Sequence, residues 1–159
     1  MTRVNLTYAD YASLPDDGRR YELHDGELSV TPAPGTLHQR VLGNLFVIFW
    51  HHVRSPGLGA VFMAPTDCIL ADLTVVQPDI AFVAAQHASR ISERAIEGAP
   101  TLAIEILSPS TEQVDRRRKL ELYARHGVAY YWIVDVVERT IEAYTLEHGT
   151  YRINARLAG

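Results

Sequence analysis

Hydrophobic and polar positions along this chain follow two periods. Over 36–53, "TLHQRVLGNLFVIFWHHV", the residues His38, Val41, Leu42, Leu45, Phe46 and Phe49 recur at the i, i+3, i+4, i+7 spacing of a helix with one core-facing stripe. Elsewhere the period is two, or the runs are short and uniformly apolar. "RYELHDGELSV" reads as two strands joined at Asp25-Gly26, a dipeptide suited to a type I′ hairpin turn. "GAVFMAP", "DCIL" and "VVQPDIAFV" read as three further strands, with Pro78 marking an edge or a strand start in the third. "TLAIEIL" and "AYYWIVD" read as buried strands, and "TIEAYTL" with "YRIN" as a terminal hairpin.

Helix signals punctuate these runs. Thr7, three residues before Asp10, caps a short helix that Pro15 ends. Ser110 and Gln113 have capping-box spacing for a helix that runs to about His126 and stops at Gly127. "ASRISERAIEGA" has weak helical or loop character. The order is helix, hairpin, helix, three strands, helix, then two or three strands. It predicts an α/β (α+β) fold with a central mixed sheet flanked by helices. No linker or repeat divides the 159 residues, so 1–159 is read as a single domain.

Composition narrows the function. The net charge of −4 excludes a basic protein held to nucleic acid by bulk electrostatics, so phosphate contact requires a local patch or bound cations. A lone cysteine, Cys68, excludes an internal disulfide framework and any Cys/His zinc cluster, and fits a reducing cytosol. With no apolar signal core at the start and no apolar run near the length of a membrane helix, a soluble cytoplasmic protein is expected.

Three charged residues stand where composition does not predict them. Asp79 opens the apolar run "DIAFV", although Asp is depleted in strands; beside Pro78 a turn or capping role is the bland reading. Glu105 interrupts "LAIEIL". By alternation it shares a face with Thr101, Ala103 and Leu107, while Leu102, Ile104 and Ile106 form an aliphatic face. A structural ion pair and a metal ligand at a cleft are both open for it. Lys119 is the basic residue of the run 116–119 that falls on the buried arc of Leu120, Leu122 and Tyr123, whereas Arg117 and Arg118 project away and Arg116 lies nearer the border. Its alternative is a snorkelling lysine paired with Asp115 at i−4. Together, two carboxylates from separate strands and a lysine from the adjoining helix suit Mg²⁺, a hard cation that prefers oxygen ligands and retains several waters. Such an ion activates a bound water and offsets phosphoryl charge, which lets an acidic protein meet a phosphodiester.

Five segments carry a resemblance: "YELHDGEL", "HQRVLGNL", "QPDIAFV", "LAIEILSPST" and "DRRRKLELYARHGVAYYWIVD". In this order they resemble the Uma2 family of restriction endonuclease domains, within the PD-(D/E)xK nuclease superfamily. The resemblance implies a restriction-endonuclease-like core and a Mg²⁺-dependent endonuclease, with Mn²⁺ able to substitute, acting on DNA as a homodimer. It implies that Asp79 and Glu105 bind the metal, with the Ile106 backbone carbonyl as a further ligand. Leu107 stands where the superfamily motif has lysine, so the role passes to Lys119 on the following helix. It also implicates Glu22, whose bland reading is a solvent-exposed strand position, and His38, whose bland reading is a core histidine with one hydrogen bond. A catalytically inactive module of the same fold, binding DNA or a protein partner, is the alternative, and a metal-free salt-bridge network is a third reading. Trp50 and Trp132, both in apolar runs, are expected in the core.

Overall fold

The computed structural model of the chain describes residues 5–159. Thr7 forms the expected capping box with Asp10 and starts α1 (Tyr8–Ala12). β1 (Arg20–His24) and β2 (Glu27–Thr31) pair antiparallel across Asp25-Gly26. Both turn residues have positive φ, 53° and 82°, as a type I′ turn requires. α2 (Thr36–Arg54) is the long amphipathic helix. β3 (Gly59–Met63), β4 (Cys68–Ala71), β5 (Thr74–Val76), β6 (Ile80–Ala84), β7 (Ile96–Glu97) and β8 (Leu102–Ile106) follow, with a 3₁₀ turn at Ala85–Arg90 inside the weakly patterned segment. A π-helix, Val114–Lys119, runs directly into α3 (Leu120–Arg125), which ends where Gly127 takes φ 77°. β9 (Tyr130–Asp135), β10 (Thr140–Glu147) and β11 (Thr150–Ala158) complete the chain.

The strands form two sheets, in the orders β2-β1-β5-β4-β7 and β11-β10-β9-β8-β6-β3. Each is mixed: β4 and β7 are parallel, as are β8 and β9. The run "VVQPDIAFV" is therefore split rather than continuous. β5 belongs to one sheet and β6 to the other, and Gln77-Pro78-Asp79 crosses between them. Proline suits this crossing because it has no N–H to leave unpaired in a ladder.

Strand alternation divides the core into two layers. Leu102, Ile104 and Ile106 of β8, with Ile80 and Val134, pack with Leu42, Leu45 and Phe46 of α2. The opposite face carries Ala81, Val83, Ala103, Tyr131 and Ile133 against Cys68, Val76 and Ile96 of the other sheet and Tyr123 of α3. So the fold class is as the pattern predicts, but the second face of the larger sheet is covered by a sheet as well as a helix. Trp132 joins the α2 layer, edge-on to Phe49 with centroids 5.5 Å apart. Trp50 does not join the core: it is 38% exposed, with the Arg54 guanidinium 4.5 Å from its ring. It lies off the i, i+3, i+4 stripe, which is why the apolar run around it misleads.

Candidate active site

Asp79 sits at the end of the crossing segment, where its carboxylate reaches across to β8 and α2. Its Oδ2 accepts the Ile106 N–H at 2.8 Å and lies 3.1 Å from His38 Nε2. Its Oδ1 is 3.7 Å from Nη1 of Arg20. The Asp79 side chain is thus more than a turn cap: it ties the start of β6 to the end of β8 and to the first turn of α2. His38 is buried, as its place on the stripe predicts, but its ring turns toward this carboxylate, which outweighs burial and holds its pKa above the usual histidine value.

Glu105 is buried on the face opposite α2, and the cation its position demands is present. Lys119 Nζ is 2.9 Å from Glu105 Oε1, 3.1 Å from Glu22 Oε1 and 3.6 Å from Asp115 Oδ1. Tyr123 donates its hydroxyl to the same Glu105 Oε1 at 2.7 Å. Glu22 is almost wholly buried, not exposed, and also accepts the Gln77 N–H at 2.6 Å and contacts His24 Nε2 at 3.0 Å. The sequence pattern missed this because the "polar" face of β1 meets the helix that carries Lys119 and the crossing segment at Gln77. The i−4 pairing of Lys119 with Asp115 exists, but as the longest of three ion pairs.

Three buried carboxylates share one ammonium, so the cluster carries surplus negative charge. Burial works to lower the Lys119 pKa, yet Glu105, Glu22 and Asp115 outweigh it and hold the amine well above its ordinary value. Burial likewise works to raise Glu22, but Lys119, His24 and the Gln77 amide pull it down to about 2. The imbalance falls on Glu105: burial pushes its carboxyl well above the usual carboxylate range, and Asp115, Asp79 and Glu22 together reinforce this against the pull of Lys119. Asp115 Oδ1 is buried without a hydrogen-bond partner.

Asp79, Glu105, Ile106, Asp115, Lys119, His38 and Arg20 line one cavity of about 260 Å³. Glu22 lines an adjoining one of about 90 Å³ with Asp115 and Lys119. Asp79, Glu105, Ile106, Lys119 and His38 therefore share one cavity, and Glu22 joins them through Lys119. The other basic residues of 116–119 diverge, as their spacing requires. Arg116 Nη1 lies 2.8 Å from Glu142 Oε2 and its Nη2 3.2 Å from Asp135 Oδ2; Arg118 donates to Glu27 at 2.7 Å and to the His24 carbonyl at 2.9 Å.

Sequence reasoning did not place Arg20 or Tyr123 at the site, and named Asp115 only as the i−4 partner of Lys119. Arg20 had a signal, since it alternates onto the same face of β1 as Glu22. Tyr123 reads as plain apolar arc until its hydroxyl is placed. The capping box predicted at Ser110 is not the helix start: Ser110 Oγ lies 3.1 Å from Ser108 Oγ, and Thr111 Oγ1 accepts the Ser108 N–H at 3.3 Å.

An oxygen-rich donor set with surplus buried negative charge fits a hard divalent cation. Among the described residues no three His, Cys, Asp or Glu groups gather as a ready-made cage, so such an ion would rest on two carboxylates, a carbonyl and water. The family profile described as "Uma2: Putative restriction endonuclease" matches residues 8–158. The chain belongs to the Uma2 family. This Uma2 chain also superposes on a crystal structure from Anabaena variabilis, described as a putative nuclease belonging to DUF820. The TM-score is 0.79 at 22% identity, over 93% of this chain and 83% of that one. That likeness establishes a restriction-endonuclease-like fold. No curated protein matches. No helix among the described residues is long and apolar enough to cross a membrane.

Proposed function

We propose that this Uma2 domain, residues 1–159, is a Mg²⁺-dependent endonuclease that hydrolyses DNA phosphodiester bonds in the cytoplasm. The observation that carries this reading is the convergence of Asp79, Glu105 and Lys119 on one cavity from three separate elements, a strand start, a strand interior and a π-helix. Asp79, Glu105 and the Ile106 carbonyl would hold Mg²⁺ or Mn²⁺. Bound there, the ion supplies Lewis acidity toward a phosphoryl oxygen and lowers the pKa of water.

The chain's own residues do the rest. Lys119 stays protonated, because the carboxylates around it hold its pKa high, so it is not a general base. Its role is to donate a charged hydrogen bond to the attacking water or to the phosphorane oxygen, in a site that excludes bulk solvent. Glu22 keeps that ammonium in place by an ion pair independent of Glu105, and Tyr123 fixes Glu105 Oε1 from the other side. His38 and the Ile106 amide orient the Asp79 carboxylate. Cutting both strands of a duplex with a domain this small calls for a homodimer.

The test is cleavage of supercoiled plasmid in Mg²⁺ or Mn²⁺ by the wild type, Glu105→Ala and Lys119→Ala. Activity is expected in the wild type alone, and equal activity in all three removes these residues from the mechanism. One observation favours a second reading, a non-hydrolytic module that binds DNA or a protein: Asp79 already has Ile106, His38 and Arg20 as partners. Mn²⁺ binding with no cleavage of any DNA form would decide for it.

A further inference from the structure

Arg20 was not needed to reach the functional reading, yet its guanidinium is fixed on one edge and open on the other. Nη2 donates to the Gln77 carbonyl at 2.8 Å, and Nε approaches Gln77 Oε1 at 3.5 Å. Gln77 is itself immobilised, since its N–H donates to Glu22 Oε1 at 2.6 Å and its side-chain amide to Asp67 Oδ1 at 2.8 Å. The remaining edge faces Asp79, but Nη1 is 3.7 Å from Oδ1, an ion-pair separation longer than a hydrogen bond. The side chain keeps 19% of its surface exposed and lines the same cavity as Asp79 and Glu105.

A planar guanidinium held in one orientation with N–H donors to spare is suited to a phosphate oxygen. A structural salt bridge would use those donors at close range. The cavity wall nearby is complementary to anions as well. Gly35 caps α2 without a side-chain hydrogen bond, and the first turn of that helix has no acidic residue. Its N-terminal end keeps its partial positive charge, and Gly35 lines the cavity. The cavity is thus divided into a carboxylate part that suits a cation and a donor part that suits an anion, an arrangement that a phosphodiester with its metal ion would satisfy at once.

We propose that Arg20 is a substrate-binding residue that grips a non-bridging phosphate oxygen of the nucleic-acid strand through the Nη1 edge now turned toward Asp79. This rests on the metal-dependent phosphodiesterase reading, and the two can fail separately. The experiment uses the full chain and its Arg20→Gln and Arg20→Lys variants. Mn²⁺ binding is followed by its spin resonance signal. Binding of inorganic phosphate to the Mn²⁺-loaded protein is measured by calorimetry, and binding of a short DNA duplex in Ca²⁺ by fluorescence anisotropy.

The expected result is unchanged or slightly tighter Mn²⁺ binding in both variants. Phosphate and DNA affinity falls by about tenfold or more in Arg20→Gln, as for loss of a charged hydrogen bond. The salt slope of DNA binding falls by about one. Arg20→Lys, which keeps the charge but not the fork, falls in between, and it decides the matter if Arg20→Gln does not fold. Equal phosphate and DNA binding in all three proteins, with Mn²⁺ still bound, overturns the role of Arg20 and leaves the metal reading standing. Absence of Mn²⁺ binding in the wild type overturns both.

Discussion

Replacing Lys119 by methionine tests the buried charge cluster most directly, because Met keeps the length of the side chain and removes only the ammonium. In the wild type Lys119 is 5% exposed and its ammonium answers three carboxylates within 3.6 Å. Against its burial Glu22 is pulled from an ordinary 4.5 to about 2 by Lys119 first and then by His24 and the Gln77 amide, so the ammonium accounts for part of about 3 kcal/mol at neutral pH. Breaking a buried pair by removing one partner costs about 3–5 kcal/mol, since the other charge is left uncompensated. That gives a loss of about 3–5 kcal/mol, or a melting temperature lower by about 6–20 °C for a domain of this size. The loss should depend on pH with a definite sign. In the wild type the depressed Glu22 contributes stability above pH 4.5 that disappears as pH falls through about 2. In the variant the same buried carboxylate has its pKa raised, so the variant is most stable below about 4.5 and loses stability as pH rises. The gap between the two proteins therefore widens from pH 5 to pH 7. The assay is urea denaturation of both proteins in EDTA at these two pH values. A loss below about 1 kcal/mol at pH 7, or a gap that does not change with pH, would refute a charge-coupled cluster around Lys119.

Two further expectations concern single buried side chains. Leu107→Lys, which restores the superfamily motif, should cost more than about 2 kcal/mol and should not raise nuclease activity, because Leu107 is 5% exposed in the apolar layer with Tyr123; chemical denaturation beside the plasmid assay checks it. Cys68 is wholly buried, and burial followed by the charges of Asp67 and Glu105 pushes its thiol far above the usual range, so Ellman's reagent should leave the native protein unmodified and react at once in denaturant.

Much of this architecture is legible in the residues, and the misses have physical causes. α2, the β1–β2 hairpin and β8 carry strong periodic signals, and their apolar faces pack where alternation places them. Asp79, Glu105 and Lys119 stood out because a charge inside an apolar run demands a partner. Glu22 was hard to weigh, because a strand period of two says which residues share a face and not whether water or a helix meets that face. The break between β5 and β6 was hidden in an apolar run, where only Pro78 hinted at a crossing. Arg20 shares the face of Glu22 by alternation but escaped all the same, because its meaning comes from Gln77 and Asp79, 57 and 59 positions further along the chain.

The π-wound turn at Val114–Lys119 has a consequence for chain length. A wide turn holds one more residue than an α-helical path between the same two ends, and such turns recur at functional sites. Deleting a single residue from 114–118 would let the helix relax to ordinary winding while Leu122 and Tyr123 remain seated in the core. The segments before and after the deletion would keep their phase, because an α-helical path joins the same two ends with one residue fewer. An insertion has no such outlet, since the turn already holds the extra residue, and would turn the leading half of the helix by about 100° against the anchoring half. Removing the exposed Arg117 should therefore be tolerated where inserting a residue beside it is not, while the buried Asp115 and Lys119 tolerate neither, and an insertion and deletion scan would read that asymmetry.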